Sequence, residues 1–221
     1  MESTTQRVAK TFNTVIFGAE VIIAMLKKAL LFLLLVLIAL SSKAQKADSL
    51  FNRLGDFDLA RLYNKSSEAI SLGEKIMPDT AKLTEKVRVS FFGRMAKLYE
   101  DNEQDEKAIF YYQKVVAALP DYYVARRAIG YLYFKQAREA HIKLNAAGNG
   151  PQYDQLLKNY TALVKKTLPH LEKAQACDPS DDTLELIKTL YKNIHDDQGL
   201  NSLNTRLANM GKNCIDILTD H

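Results

Sequence analysis

At 221 residues, 47% of them apolar and 25% charged, the chain is long enough for one domain or a few stacked repeats and too apolar to stay disordered. Five basic residues (Arg7, Lys10, Lys27, Lys28, Lys43) and two acidic ones (Glu2, Glu20) fall in 1–44; subtracted from 30 and 26, they leave 25 basic and 24 acidic residues over 45–221. So neutral a body excludes broad binding to a phosphate backbone, and no nucleic-acid partner is expected.

The first element is an export segment. Lys27-Lys28 precede twelve uninterrupted apolar residues, Ala29 to Leu40, and Ser42 and Ala44 then supply small residues where a signal peptidase reads. Residues 25–44 are therefore predicted to be a secretory signal peptide, which sends the mature chain from Gln45 to the periplasm or beyond the cell. The rival reading is a retained membrane anchor, which needs about 20 apolar residues and would bury Lys27 and Lys28 in mid-span. No Cys near the cut offers a thioether lipid anchor. Met25 can open the signal by itself, so residues 1–24 are either an upstream extension or a long n-region. Gln45 after Ala44 resembles the Ala-Gln cleavage sites of exported proteins in Bacteroidetes-type bacteria.

Beyond Gln45 the apolar spacing is helical. Leu83, Val87, Phe91, Met95 and Leu98 step by three and four, as do Ala108, Tyr112, Val115 and Leu119. Breaks are predicted at Met77-Pro78-Asp79, Asp101-Asn102-Glu103, Leu119-Pro120-Asp121, Asn145 to Pro151, Asp178-Pro179-Ser180 and Asp196 to Gly199. No stretch alternates long enough for a strand, and the expected fold class is all-α.

The helices repeat. Between 92 and 120 the order is Phe92-x2-Met95-Ala96-x2-Tyr99-x8-Ala108-x3-Tyr112-x2-Val115-x4-Pro120. This resembles a tetratricopeptide repeat, with small Ala96 and Ala108 at the helix crossing and aromatics beside them. A second copy starts at Ile129-Gly130-x2-Tyr133 and finishes at Thr167-x3-Leu171-x2-Ala174-x4-Pro179, with 33 residues between Tyr133 and Thr167 where the first copy has 8. The resemblance therefore implies a short array of antiparallel hairpins over 45–221. Its clearest repeat covers 89–120, an elongated hairpin covers 122–178 with its tip near Asn145 to Pro151, and a degenerate terminal hairpin covers 181–211.

Little in the chain points to chemistry. The four histidines (His141, His170, His195, His221) form no His-Glu-x-x-His spacing, and no Cys-x-x-Cys exists, so no metal and no cofactor are expected. Glu139 and His141 point to different helix faces. His195-Asp196-Asp197 reads as a helix end before Gly199, and the serines and threonines lack a nucleophile motif. Cys177 and Cys214 could form a disulfide after export or stand as small core residues.

Arrays of this family commonly hold a peptide in the concave surface of their first helices. The matching positions here are Ser90, Gly93, Lys97 and Glu100 in one copy and Val124, Arg127, Tyr131 and Phe134 in the next. The expected peptide-binding set is Arg94, Lys97, Arg127, Tyr131 and Phe134, with Lys135 beside it, suited to an acidic peptide or a C-terminal carboxylate. In the other reading, Tyr131 and Phe134 pack under the insertion or a terminal hairpin. The expected function is a non-catalytic protein–protein interaction module of the bacterial cell envelope, touching membrane only through an uncleaved N-terminal segment. A membrane-anchored assembly factor and an envelope enzyme with an unrecognised helical site are the alternatives.

Overall fold

A computed structural model describes residues 50–148 and 150–216. The export segment and its cleavage site lie outside the described residues. By contact density the chain divides into the units Met1–Asp56 and Phe57–His221. The second unit, which carries nearly all of the described helices, begins inside a helix spanning 50–62, here α1.

The fold is all-α. After α1 come α2 (Ser66–Ile76), a 3-10 turn (Met77–Lys82), α3 (Glu85–Asp101), α4 (Asp105–Ala118), α5 (Tyr123–Ala147), α6 (Tyr153–Cys177), α7 (Asp181–Asn193), α8 (Asp197–Asn201) and α9 (Leu203–Met210). No strand occurs among the described residues, and none of their helices is long and apolar enough to cross a membrane. Local chemistry sets the boundaries. The Thr84 hydroxyl accepts from the Val87 amide at the start of α3, and Ser180 caps α7 through the Thr183 amide, with Asp181 and Asp182 in its positive first turn. Glu103 and His195 take left-handed φ values of 55° where α3 and α7 end. The break expected at Met77-Pro78-Asp79 is where α2 ends, and Pro78 sits in the first turn of the 3-10 segment that follows, where no amide is needed. The second arm of the terminal hairpin expected over 181–211 is not one helix but is interrupted at Ser202 into α8 and α9.

The helices pack in successive antiparallel pairs, an arrangement compatible with a helical-repeat fold. Ala96 of α3 and Ala108 of α4 are both fully buried, and Tyr99 is stacked on Tyr111 at 5.5 Å. The 25-residue helices α5 and α6 form a hairpin much longer than the α3–α4 pair, at 17 and 14 residues. Their core is Ala137, Ala140 and Leu144 against Tyr160, Val164, Leu168 and Leu171, and α7 adds Ile187 and Leu190. At the base of the hairpin Gly130 permits a close approach: a Cβ there would stand 2.6 Å from Leu171 Cδ2 and 3.2 Å from the Leu171 backbone nitrogen.

Residues 211–216, after α9, run back across α6 as a strap with three ties. Cys214 is disulfide-bonded to Cys177. The Ile215 amide donates to the Asp121 carbonyl at 2.9 Å, and the Tyr123 amide donates to the Ile215 carbonyl at 3.1 Å. Between them the buried Lys173 ammonium gives one proton to the Asp121 carboxylate (2.7 Å), one to the Met210 carbonyl (2.9 Å) and one to the Asn213 carbonyl. An ammonium has three donors, and all three are used, which is how a lysine can be buried here at all.

Two measurements check this packing. Gly130→Ala should lower stability by about 1–3 kcal/mol in denaturant unfolding, although alanine is the better helix former by about 1 kcal/mol. An unchanged or higher midpoint would mean that α5 and α6 do not meet there. Breaking the disulfide by Cys177→Ser, whose partner is 37 residues away, should cost up to about 3–4 kcal/mol on the chain-entropy account. Hydrogen exchange should then show the Ile215 amide losing protection while the α5–α6 amides keep theirs.

Candidate binding site

The inner flank of α5 faces α7, and the two helices run in the same direction. Going along α5, the Arg127 guanidinium meets the Asp178 carboxylate just before α7 (2.7 Å) and donates to the Asp178 carbonyl (3.1 Å). One turn on, the Tyr131 hydroxyl pairs with the Thr183 hydroxyl at 2.8 Å. Phe134 then packs on the shared core. Beside Phe134 lies a cavity of about 200 Å³ lined by Phe134, Ala137, Arg138 and His141 of α5, Tyr160 of α6, and Leu186, Thr189, Leu190 and Asn193 of α7.

The polar groups of this cavity sit at its edge. The His141 ring stacks on Tyr160 with centroids 4.9 Å apart, and Asn193 donates to the Tyr160 hydroxyl at 3.1 Å, so the tyrosine is held from both sides. Arg138 is exposed at the mouth and has no acidic partner among the described residues. Apolar side chains continue along the same stripe of α5 in both directions: Val124 and Tyr131 are each 40% exposed and Ile142 is 62% exposed. Residues 124, 131, 138 and 142 fall within a narrow sector of an α-helix, since steps of seven, seven and four nearly close whole turns.

The five residues predicted as one binding set are distributed differently. Arg94 turns to α1 and pairs with Asp58 at 3.0 Å; Lys97 pairs with Asp101 on its own helix. Lys135 pairs with Asp105 at 2.7 Å. Arg127, Tyr131 and Phe134 do lie together, but as contacts between α5 and α7. Each predicted cation thus already holds a carboxylate inside the molecule, and an acidic ligand would have to displace it. Exposed pairs of this kind are worth about 0–1 kcal/mol, so displacement is cheap but nothing is gained in net charge. The residues that the sequence pattern did not single out are Arg138, His141, Tyr160, Thr189 and Asn193. The one signal available was the absence of any acid three or four positions from Arg138, where Phe134, Lys135, His141 and Ile142 stand.

Two other clusters resemble chemical sites and are closed. Glu172, 2% exposed, accepts from the Tyr191 hydroxyl and twice from Arg206, at 2.9 and 2.8 Å; Arg206 also donates to the Tyr191 oxygen at 2.8 Å. Burial and the hydrogen bond to Glu172 raise the Tyr191 pKa, and the same carboxylate raises that of Arg206, so both stay protonated. This network clamps α9 onto α6 and α7 with its acceptors filled. Asp196, in the His195-Asp196-Asp197 run, caps α8 by accepting from the Gly199 amide at 2.8 Å. No group of three or more metal-ligating side chains occurs among the described residues.

His170 on α6 is set apart from all of these. Its Nδ1 is buried without a partner among the described residues, and burial, reinforced by the Arg126 guanidinium, pulls its pKa down to about 4. The folded state therefore favours neutral imidazole, while the unfolded chain takes a proton near the ordinary pH 6.5. Its contribution is full above that value and is lost as pH falls from 6.5 toward 4. Thermal unfolding should show stability declining through this window by on the order of 1–3 kcal/mol, and His170→Leu should remove that part of the slope. Identical pH profiles for the two proteins would refute it. No protein-family model matches the sequence, and no curated protein matches it.

Proposed function

We propose that the chain is a non-catalytic interaction module of the bacterial cell envelope, built of tetratricopeptide-like hairpins, which binds a peptide or protein segment along the α5 flank beside α7. The observation that carries this reading is the open cavity between α5, α6 and α7, with Arg138, which holds no acid among the described residues, at its mouth and exposed apolar residues on either side. The Glu172 and Asp196 clusters are occupied by their own neighbours, whereas Arg138 holds no acid among the described residues. Large apolar and arginine side chains left exposed together are the usual anchors of a protein interface.

Export to the periplasm or beyond is part of the proposal. The Lys27-Lys28 pair, the twelve-residue apolar run and the small residues at 42 and 44 support it, and so does a disulfide, which persists in oxidising compartments.

Site-specific photocrosslinking in intact cells tests both parts. A benzophenone side chain at Tyr131 or Thr189 should capture one discrete polypeptide in the envelope fraction, and the same group at Phe110, exposed on α4, should not. Equal capture from Phe110, or none from the α5–α7 flank, would sink the binding face; a protein recovered only from the cytoplasm would sink the location.

A further inference from the structure

The cavity is small. At about 200 Å³ it falls below the roughly 300–1,000 Å³ that holds a whole drug-sized ligand, and it suits a single large side chain. Its walls are Phe134, Ala137, Leu186, Leu190 and the ring of Tyr160, so the atoms it receives are apolar. Its mouth is cationic, because Arg138 holds no carboxylate among the described residues, whereas Arg127 holds Asp178. A guanidinium presents two parallel donors that fit a carboxylate. The apolar stripe continues past the cavity toward Val124 at one end and Ile142 at the other, so a bound chain has surface to follow on both sides.

Resting on the binding face proposed above, we infer that the cavity takes an aromatic or long aliphatic side chain from an internal segment of a partner polypeptide, with an Asp or Glu one or two residues away seated on Arg138. The apolar side chain supplies the anchor, as buried aromatics do in interface hot spots, and the acid sets the register. Shape and charge are then read at adjacent points, and neither suffices alone.

Fluorescence anisotropy with four labelled peptides in a Gly/Ser background tests this on the whole exported chain. The first carries Phe-Asp-Glu at its centre, the second Phe-Gln-Gln and the third Gly-Asp-Glu; the fourth ends in Phe-Asp-Glu with a free C-terminus. The first should bind about tenfold tighter than the second or third, and no more weakly than the fourth. Arg138→Gln should bring the first peptide down to the affinity of the second. Thr189→Phe, which fills the cavity from an exposed position, should weaken the first and second alike; circular dichroism should show both variants folded. Equal binding of the first three, indifference to Arg138→Gln, or no binding by any peptide would overturn the inference. A preference for the fourth would make the site a reader of chain ends and would overturn it equally. Crosslinks from Tyr131 that persist alongside any of these failures would leave the binding face standing and remove only this account of its occupant.

Discussion

The close approach of α5 to α6 at Gly130 is the constraint on which the rest of this unit rests. A methyl group there would run into Leu171, both its side chain and its backbone. With glycine in place the two helices seat their apolar faces along the whole hairpin, and Ala137, Ala140 and Ala174 keep the spacing short above and below. That spacing decides where α7 can lie. The α7 residues Ile187 and Leu190 reach the same core, Thr183 reaches Tyr131, and the gap left further along becomes the cavity. Dispersion and burial dominate this arrangement, and the polar contacts are fitted around it.

Much of this could be read from the chain. Helical spacing, the small residues at Ala96 and Ala108 and the long gap between Tyr133 and Thr167 together imply hairpins with one of them lengthened, because helix periodicity and close crossing are local properties of sequence. Pairings between distant residues were not legible. Lys97 has an acid four positions away on its own helix, and that pair could be foreseen. Arg94, Arg127 and Lys135 find Asp58, Asp178 and Asp105 only because folding brings other helices alongside. A cation in a sequence is a ligand-binding candidate until its internal partner is known, which is why the expected set and Arg138 differ. The cavity was invisible for a related reason: three helices contribute to it, and its volume is what their side chains fail to fill.

The terminal strap shows how the last helices of this unit are covered. A helical stack exposes the flank of its last pair, and here α9, the Glu172 network and the strap cover part of that flank. The covering is polar at its centre, with Lys173 and Glu172 adjacent on α6 and serving different elements. Lys173 holds the strap to the α4–α5 connection, and Glu172 holds α9. Each is buried with its hydrogen bonds made, so truncating either partner would leave a charge without company and cost more than the contact itself contributes.

The long hairpin has a consequence for phase. Helices of 25 residues make almost seven turns at about 3.6 residues each, so the tip of α5 presents the same side as its base. Val124 and Ile142 share one line because they stand 18 positions apart, about five turns. Length can be added to such a hairpin, or removed, only in matched whole turns on both arms. Any other step rotates the far end away from the face that α7 borders. The hairpin is thus free to vary in reach and fixed in heading, like a ruler that can be cut only at its marks.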